Sequence, residues 1–445
     1  MKLAAIVRSA ALVSAIALIP ATTAGLAQVD GRAGPEFAKL FAVYQRIKAS
    51  YVEPVEDDKL IRGAIDGMLA SLDPHSAYLD GGDLQRLETM IDGNYSGLGL
   101  SVVMDDGAVK VVSPFKGSPA DKVGIKAGDY ITHLDGKLIY GGELDDAVAK
   151  MRGPAGSTIR LTIFRAGREE PFDVTVTRGV IELEPVTHKL EAGNIGYISV
   201  NEFSRDVGAD VLKSWNELKK QAAGRVNGLV LDLRQNPGGS LDEAVALSDL
   251  FLEKGQIVSQ RGRAKGESLV YNAESVFRGD MAKGVPVIVL IDAGSASASE
   301  IVAGALQDQR RAVVMGERSF GKGSVQTLLP LGRTAALKLT TARYYTPSGH
   351  SVQEGGITPD IQVPQLSDPD LAKREKFRLR ESDLRGHLVN EAALKDEELE
   401  KDRKDDPRFQ MTADQLKEKG IEDFQLTYAL DTLRRTTPSA MARRN

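Results

Sequence analysis

The chain has 445 residues, 42% of them apolar and 27% charged. That is the composition of a soluble globular protein, too long for one ordinary core and so expected in two or three domains. A net charge of −5 gives no electrostatic reason to bind nucleic acid, and the lack of any cysteine excludes disulfides, a thiol nucleophile and a thiolate metal site.

Residues 1–27 stand apart. Lys2 and Arg8 lead an apolar run from Ala10 to Pro20, followed by the small residues Ala21 to Ala27. This is the pattern of a secretory signal peptide. The run is well short of the ~20 residues a membrane span needs, so a retained anchor is the weaker alternative.

Residues 34–92 read as a helical unit. Phe37, Leu40, Phe41, Tyr44, Ile47 and Tyr51 recur at helical spacing behind Pro35. A second helix carries Leu60, Ile61, Ala64, Ile65, Met68, Leu69 and Leu72 and stops at Asp73-Pro74, and a third is expected over Leu84 to Ile91. Both stripes are expected to form core.

Residues 96–179 change to short strands with glycine turns: Leu98–Met104, Ala108–Ser113, Tyr130–Leu134, Thr158–Phe164 and Phe172–Thr177. With short helices near Ala120–Val123 and Leu144–Met151, they predict a compact, helix-capped barrel.

Residues 185–365 alternate strand and helix, which predicts a sheet with helices on its faces and catalytic groups on turns at the strand ends. Residues 366–445 form a charged tail. Of the 37 residues from Asp370 to Asp406, 22 are charged, which predicts a solvated linker. Beyond it, Ile421, Phe424, Leu426, Tyr428, Leu430 and Leu433 predict a terminal helix that docks on the body or on another subunit.

The chemistry concentrates in residues 291–326. A strand from Val287 to Ile291 feeds a small-residue turn, and Ser297 opens a helix. Ser297-x-x-Glu300 is a capping box, which by itself explains the serine. A serine at a helix start also has the N–H of Ala298 beside it and a favourable field for a developing oxyanion. Lys322, between Gly321 and Gly323, serves as a general base only if an apolar site keeps it neutral; otherwise it is an exposed loop lysine. Asp232 to Gly239 is a strand end running into a glycine turn, suited either to a second oxyanion donor or to an ordinary strand-to-helix turn.

Gly316-x-x-x-x-Gly321-Lys322 resembles a phosphate-binding loop, but Gly323 replaces the required Ser or Thr and a strand follows where a helix should. The five histidines, His75, His133, His188, His350 and His387, show no metal-ligand spacing, and no GxSxG elbow occurs. No metal and no cofactor is implied. In the barrel, Gly97-Leu98-Gly99-Leu100 is either a plain glycine turn or a nest for a carboxylate. The strand beside it and the helix face of Leu144, Val148 and Met151 would accept an extended peptide.

Taken together, these residues closely resemble the carboxyl-terminal processing proteases, the S41 family of serine peptidases, over roughly Phe37 to Val363. Leu72-Asp73-Pro74-His75-Ser76 resembles the helical-domain signature. Gly97 to Leu100, Gly117-Ser118-Pro119-Ala120 and Ile125 to Asp129 resemble the PDZ domain. Asp232 to Gly239, Gly294 to Glu300, Phe320 to Gln326 and Tyr344 to Gly349 resemble the protease core.

The resemblance implies a multidomain α+β fold: helical N-terminal unit, PDZ domain, α/β core of the ClpP/crotonase type and charged tail. It implies Ser297 as nucleophile, Lys322 as base, Gln326 as the residue orienting the lysine, and Gly239 and Ala298 as oxyanion-hole amides. Asp308 matches an acidic position in the family and is expected to give structural support, pairing with Arg310 or Arg311. The PDZ residues Gly97, Leu98, Gly99, Leu100 and Val148 would hold the free C-terminus of a protein or peptide substrate and gate the site. The expected protein is a periplasmic endopeptidase, inner-membrane associated if the signal is retained. An adaptor protein is a candidate partner and a homo-oligomer the expected state. The competing class is a non-catalytic PDZ scaffold that binds peptides.

Overall fold

The computed structural model describes residues 34–84, 87, 94–105, 107–114, 117–139, 144–168, 170–182, 185–264, 266–274, 279–332, 334–367, 380–392, 394–395 and 409–436. The signal-like segment and most of the helix expected over Leu84 to Ile91 lie outside them. Two compact units divide between Gly67 and Met68.

In the first unit the helix Gly34–Ser50 is followed by the start of the helix Asp57–Ala70. Lys48 and the hydroxyl of Tyr44 meet the carboxylate of Asp57 at 2.6 and 2.8 Å, fixing the turn between the helices. The expectation that the two stripes form core is corrected for both: of the second stripe only Leu69 is buried, and Ile61, Met68 and Leu72 are more than half exposed. The helix Gly34–Ser50 buries no residue, and Phe37 and Phe41 are 57% and 61% exposed. Two short helices have no second layer with which to enclose such a stripe.

In the second unit, five antiparallel strands run in chain order: Leu100–Asp105, Ala108–Pro114, Tyr130–Leu134, Thr158–Phe164 and Phe172–Thr177. Their alternate residues Val109, Ile131, Leu161, Ile163 and Val176 are fully buried, as period-two patterning requires. Among the described residues the strand Leu100–Asp105 pairs on one side only, which leaves an edge. Asn94–Gly97 and Gly179–Glu182 pair with each other where the chain enters and leaves this domain.

The α/β core holds a six-stranded sheet in the order Val186–Glu191, Ile195–Val200, Gly228–Asp232, Val287–Ile291, Val313–Gly316, Ile361–Gln362. All neighbours after the first antiparallel pair are parallel. The uninterrupted apolar runs of Gly228–Asp232 and Val287–Ile291 serve both faces. Leu229, Leu231, Val287, Val289 and Ile291 join the core beneath the helices Val207–Gln221, Leu241–Asp249 and Ala298–Asp308. Val230, Ile288 and Leu290 face the other way, against Phe424, Leu426, Leu430 and Leu433 of the terminal helix Phe424–Thr436. The tail helix therefore docks on the body of its own chain.

Part of the tail expected to be a solvated linker is instead packed: Arg380, Glu381 and Asn390 are buried. Glu381 accepts from His75 and Gln353, and Asn390 donates to the Gln353 carbonyl, which ties this stretch to the core. A second sheet forms on the long strand Ala335–Tyr345, which pairs with Ser324–Leu331, Ala77–Leu79 and Gln256–Gly262.

Candidate active site

Two strand ends and one turn build the site. Gly228–Asp232 and Val287–Ile291 are parallel neighbours, so their following turns emerge side by side. The carboxylate of Asp292 accepts the N–H groups of Gln235 and Gly294, both at 2.9 Å, and the Ser295 hydroxyl donates to Leu233 O at 2.8 Å. Asn236, fully buried, completes the tie. Its side chain donates to Val200 O and accepts from Gly238 N, while its carbonyl accepts from Ala296 N and from the Ser299 hydroxyl at 3.0 Å.

Gly238 then passes close over the start of the helix Ala298–Asp308, and Gly239 lies against the backbone of Phe203. A Cβ on Gly238 would sit 2.8 Å from Ser297 Cβ and 3.0 Å from Ala298 N, and both glycines have positive φ, 101° and 146°. Only glycine fits there.

Ser297 occupies the N-cap of Ala298–Asp308 with φ 54° and ψ −109°. A non-glycine residue in such a conformation costs on the order of 1–3 kcal/mol and persists where its surroundings over-determine it. Here the Ser297 N–H donates to Glu300 Oε2 at 2.7 Å, and the flanking Ala296 is pinned to Asn236. The Ser297 side chain makes no capping hydrogen bond. The capping box expected from sequence is thus used from its glutamate side, and the hydroxyl is left over. Among the described residues the N–H groups of Ala298 and Gly239 donate to no protein acceptor.

Glu300 has no solvent exposure and four donors: Ser319 Oγ at 2.6 Å, Gly321 N and Ser297 N at 2.7 Å, and Lys322 N at 3.0 Å. Burial pushes its carboxyl up to about 7, and the four donors pull against that. One side chain so fixes both the serine turn and the lysine loop.

Lys322 follows. Burial lowers its pKa below the ordinary lysine value, and the charge of Lys338 lowers it further. Glu381, Glu300 and Asp73 act the other way. Ser297, Lys322, Gln326 and Gly239 all line one cavity of about 530 Å³, together with apolar Leu241, Val325, Leu328 and Tyr344. Gln326 donates its amide to Ser324 Oγ at 3.0 Å and Thr340 Oγ1 at 3.2 Å.

Asp308 lies away from this cavity, and its expected pairing with Arg310 or Arg311 is corrected. It accepts the N–H of Ser348 at 2.9 Å, while Arg311 pairs with Asp280 at 2.6 Å. The helix turns Asp308 toward the loop after the long strand and Arg311 toward the loop before Val287.

In the PDZ-like domain, Gly97, Leu98, Gly99, Leu100 and Val148 line a second groove of about 300 Å³ with Arg152. The side chain of Leu144 lies outside the described side chains. Sequence reading left Asn236 and Thr340 without roles. Asn236 stood within a quoted motif, but only the folded turn reveals how many groups it satisfies.

The described residues include no group of three or more His, Cys, Asp or Glu side chains able to hold a metal ion. A hydroxyl freed from its cap, a half-buried lysine and two unused amides on neighbouring turns are a set that can carry out acyl transfer.

Family models match three stretches of the chain. Peptidase family S41 matches residues 194–363, a PDZ domain matches 96–176, and the N-terminal domain of the activating protease CtpB matches 19–82. The chain is 47% identical over 354 residues to the carboxy-terminal-processing protease of Bartonella bacilliformis, covering 79% of this chain and 80% of that one. The chain belongs to the carboxy-terminal-processing proteases of peptidase family S41.

It is also 37% identical to carboxy-terminal processing protease CtpB of Bacillus subtilis, over 82% of this chain and 74% of the relative. Among solved structures, a photosystem II D1 C-terminal processing protease is 31% identical over 75% of this chain and 87% of its own, with a TM-score of 0.47. This S41 peptidase therefore combines a CtpB-like N-terminal domain, a PDZ domain and a protease core.

Proposed function

We propose that this S41 peptidase is an exported, periplasmic serine endopeptidase. It captures the free C-termini of protein substrates in its PDZ groove and cuts them by a Ser–Lys mechanism through an acyl-enzyme. One arrangement supports the mechanism above all. The uncapped Ser297 hydroxyl and the burial-depressed amine of Lys322 line the same cavity.

Neutral Lys322 takes the Ser297 proton as Oγ attacks the scissile carbonyl, and the N–H groups of Gly239 and Ala298 meet the oxyanion. The lysine then gives its proton to the departing amine. Water attacks the Ser297 ester with Lys322 again as base, which frees the new C-terminus and restores the enzyme. Gln326 orients the lysine throughout.

The PDZ groove supports recognition of substrate C-termini, because an edge strand and glycine N–H groups border an apolar pocket. Occupancy of that groove gates the cavity, an adaptor protein delivers substrate, and the working species is a homo-oligomer. The Lys2 to Ala27 pattern supports export.

The test compares the C-termini of the exported proteome in cells carrying wild-type enzyme or Ser297→Ala. Loss of the wild-type set of trimmed C-termini in the variant is expected, and identical sets would overturn the reading. Fractionation checks the compartment, and sedimentation of the purified protein checks the assembly.

A further inference from the structure

Gln326 carries two amide hydrogens and one carbonyl oxygen, and an orienting role depends on which end faces Lys322. A chain of hydrogen bonds decides this, and it begins at a residue outside the catalytic set. The carboxylate of Asp73, 4% exposed, accepts the N–H groups of His75 and Ser76 and the hydroxyl of Ser76, each at 2.8 Å. A carboxylate only accepts. The Ser76 proton is therefore committed to Asp73, and Ser76 Oγ in turn accepts the N–H of Thr340 at 3.1 Å.

The hydroxyls of Ser76 and Thr340 lie 3.5 Å apart. Burial works to raise the Asp73 pKa, and hydrogen bonds from Ser76, His75 and Thr340 outweigh it, so the group is held ionised. Thr340 thus turns its proton toward the Ser76–Asp73 pair and offers a lone pair to Gln326. The Gln326 amide places one hydrogen on Thr340 Oγ1 at 3.2 Å and the other on Ser324 Oγ at 3.0 Å. With both hydrogens committed, the carbonyl oxygen is the end left to face the cavity that Gln326 and Lys322 both line.

We propose that Asp73, acting through Ser76 and Thr340, is a positioning residue for the general base. It fixes the amide of Gln326 so that Oε1 accepts a hydrogen from Lys322 and holds the amine toward Ser297. The inference rests on the Ser–Lys reading above. It also gives the Asp73-Pro74-His75-Ser76 turn a role beyond ending a helix, because the register of Ala77–Leu79 on Lys338–Ala336 brings that turn beside Thr340.

The experiment uses the full chain and fluorescein-labelled β-casein as probe. Thr340→Val keeps the branched shape and removes the hydroxyl, whereas Thr340→Ser keeps the hydroxyl. Expected are a fall in kcat of about 10- to 100-fold for Thr340→Val, KM within about 2-fold, and Thr340→Ser within about 3-fold of wild type. The double variant Thr340→Val/Gln326→Ala should be no slower than Gln326→Ala alone, as groups acting in one chain require.

Wild-type kcat in Thr340→Val, equal damage from Thr340→Ser, or multiplicative losses in the double variant would overturn the relay. Should Thr340→Val fail to fold, Asp73→Asn paired with Gln326→Ala is held to the same non-additivity. Ser297→Ala, run in parallel, separates the two readings. Its activity must vanish if the Ser–Lys account holds, whatever Thr340 does.

Discussion

The backbone amides of Ser297 and Lys322, 25 positions apart in sequence, end on the same carboxylate oxygen, Glu300 Oε2, at 2.7 and 3.0 Å. The Ser297 turn and the Lys322 loop are thereby a single hydrogen-bonded unit, and several consequences can be measured.

Glu300→Gln should loosen both loops at once. An amide presents a donor where the carboxylate meets three backbone N–H groups, so at least one bond becomes a donor–donor clash. A loss of about 2–4 kcal/mol is expected for such a buried mismatch. Casein cleavage should fall at least about 100-fold as the serine and lysine lose register. Urea unfolding and initial rates check the two effects.

Lys322→Met should stabilise the fold in a pH-dependent way. The folded-state pKa of Lys322 lies below its ordinary value of 10.5, through burial first and Lys338 second. Folding then disfavours the proton, and the penalty is full below the folded pKa and relieved as pH rises toward the unfolded one. The gain of Lys322→Met over wild type should shrink between neutral pH and pH 10, as read by urea unfolding. Activity of the wild type should rise over the interval in which Lys322 loses its proton.

How much of this was legible in the sequence depends on the range of the interactions. Local patterning gives the strands Tyr130–Leu134, Thr158–Phe164, Phe172–Thr177 and Val287–Ile291 with the boundaries the fold adopts. Helix and strand periods are written within a few residues. The strands Val186–Glu191, Gln256–Gly262 and Leu269–Asn272 escape that reading, because they are polar or mixed and gain their strand character from neighbours.

The stripe of Phe37, Leu40 and Phe41 announces a helix face, yet says nothing of what covers it. Ser297, Lys322 and Gln326 stand out by motif, whereas the roles of Asn236, Asp73 and Thr340 exist only through contacts across long separations. Asp308 shows the reverse error, since nearness in sequence to Arg310 and Arg311 did not decide its partner.

Asn236→Ala should cripple the glycine turn while sparing the sheet. Losing its side-chain bonds to Gly238 N and Val200 O leaves buried backbone groups unmatched, at a cost of about 1–3 kcal/mol. The Gly239 donor moves with the turn, so kcat should fall by up to about 100- to 1000-fold, the range for loss of one oxyanion donor. Circular dichroism and steady-state kinetics together separate misplacement from unfolding.

The tail helix holds the strand end that leads into this turn. Arg234 is bonded to Asp232 at 2.6 Å and to Asp423 at 2.7 Å. Burial tends to raise the Asp423 pKa, and hydrogen bonding to Arg234 together with its charge overcomes this, leaving it lowered. Its stabilising contribution is therefore present above the ordinary value of 3.8 and lost as pH falls through the folded one. Asp423→Asn should cost about 1.5–3 kcal/mol at pH 7, with the difference from wild type closing in acid. Thermal unfolding across that range checks it.

Val148→Glu in the PDZ groove should weaken binding of peptides with a free C-terminal carboxylate by at least about 10-fold, since a like charge then faces the ligand. Fluorescence anisotropy with a labelled apolar-ended decapeptide measures this. Amidation of the peptide terminus should have a comparable effect on the wild type.

The most direct test is intact-protein mass spectrometry of acid-quenched turnover, comparing wild type, Ser297→Ala and Lys322→Ala, each shown to be folded. Wild-type enzyme should carry a peptidyl adduct on Ser297, and both variants should carry none and leave the substrate whole. Full cleavage by folded Lys322→Ala, or an adduct that survives Ser297→Ala, would contradict the mechanism.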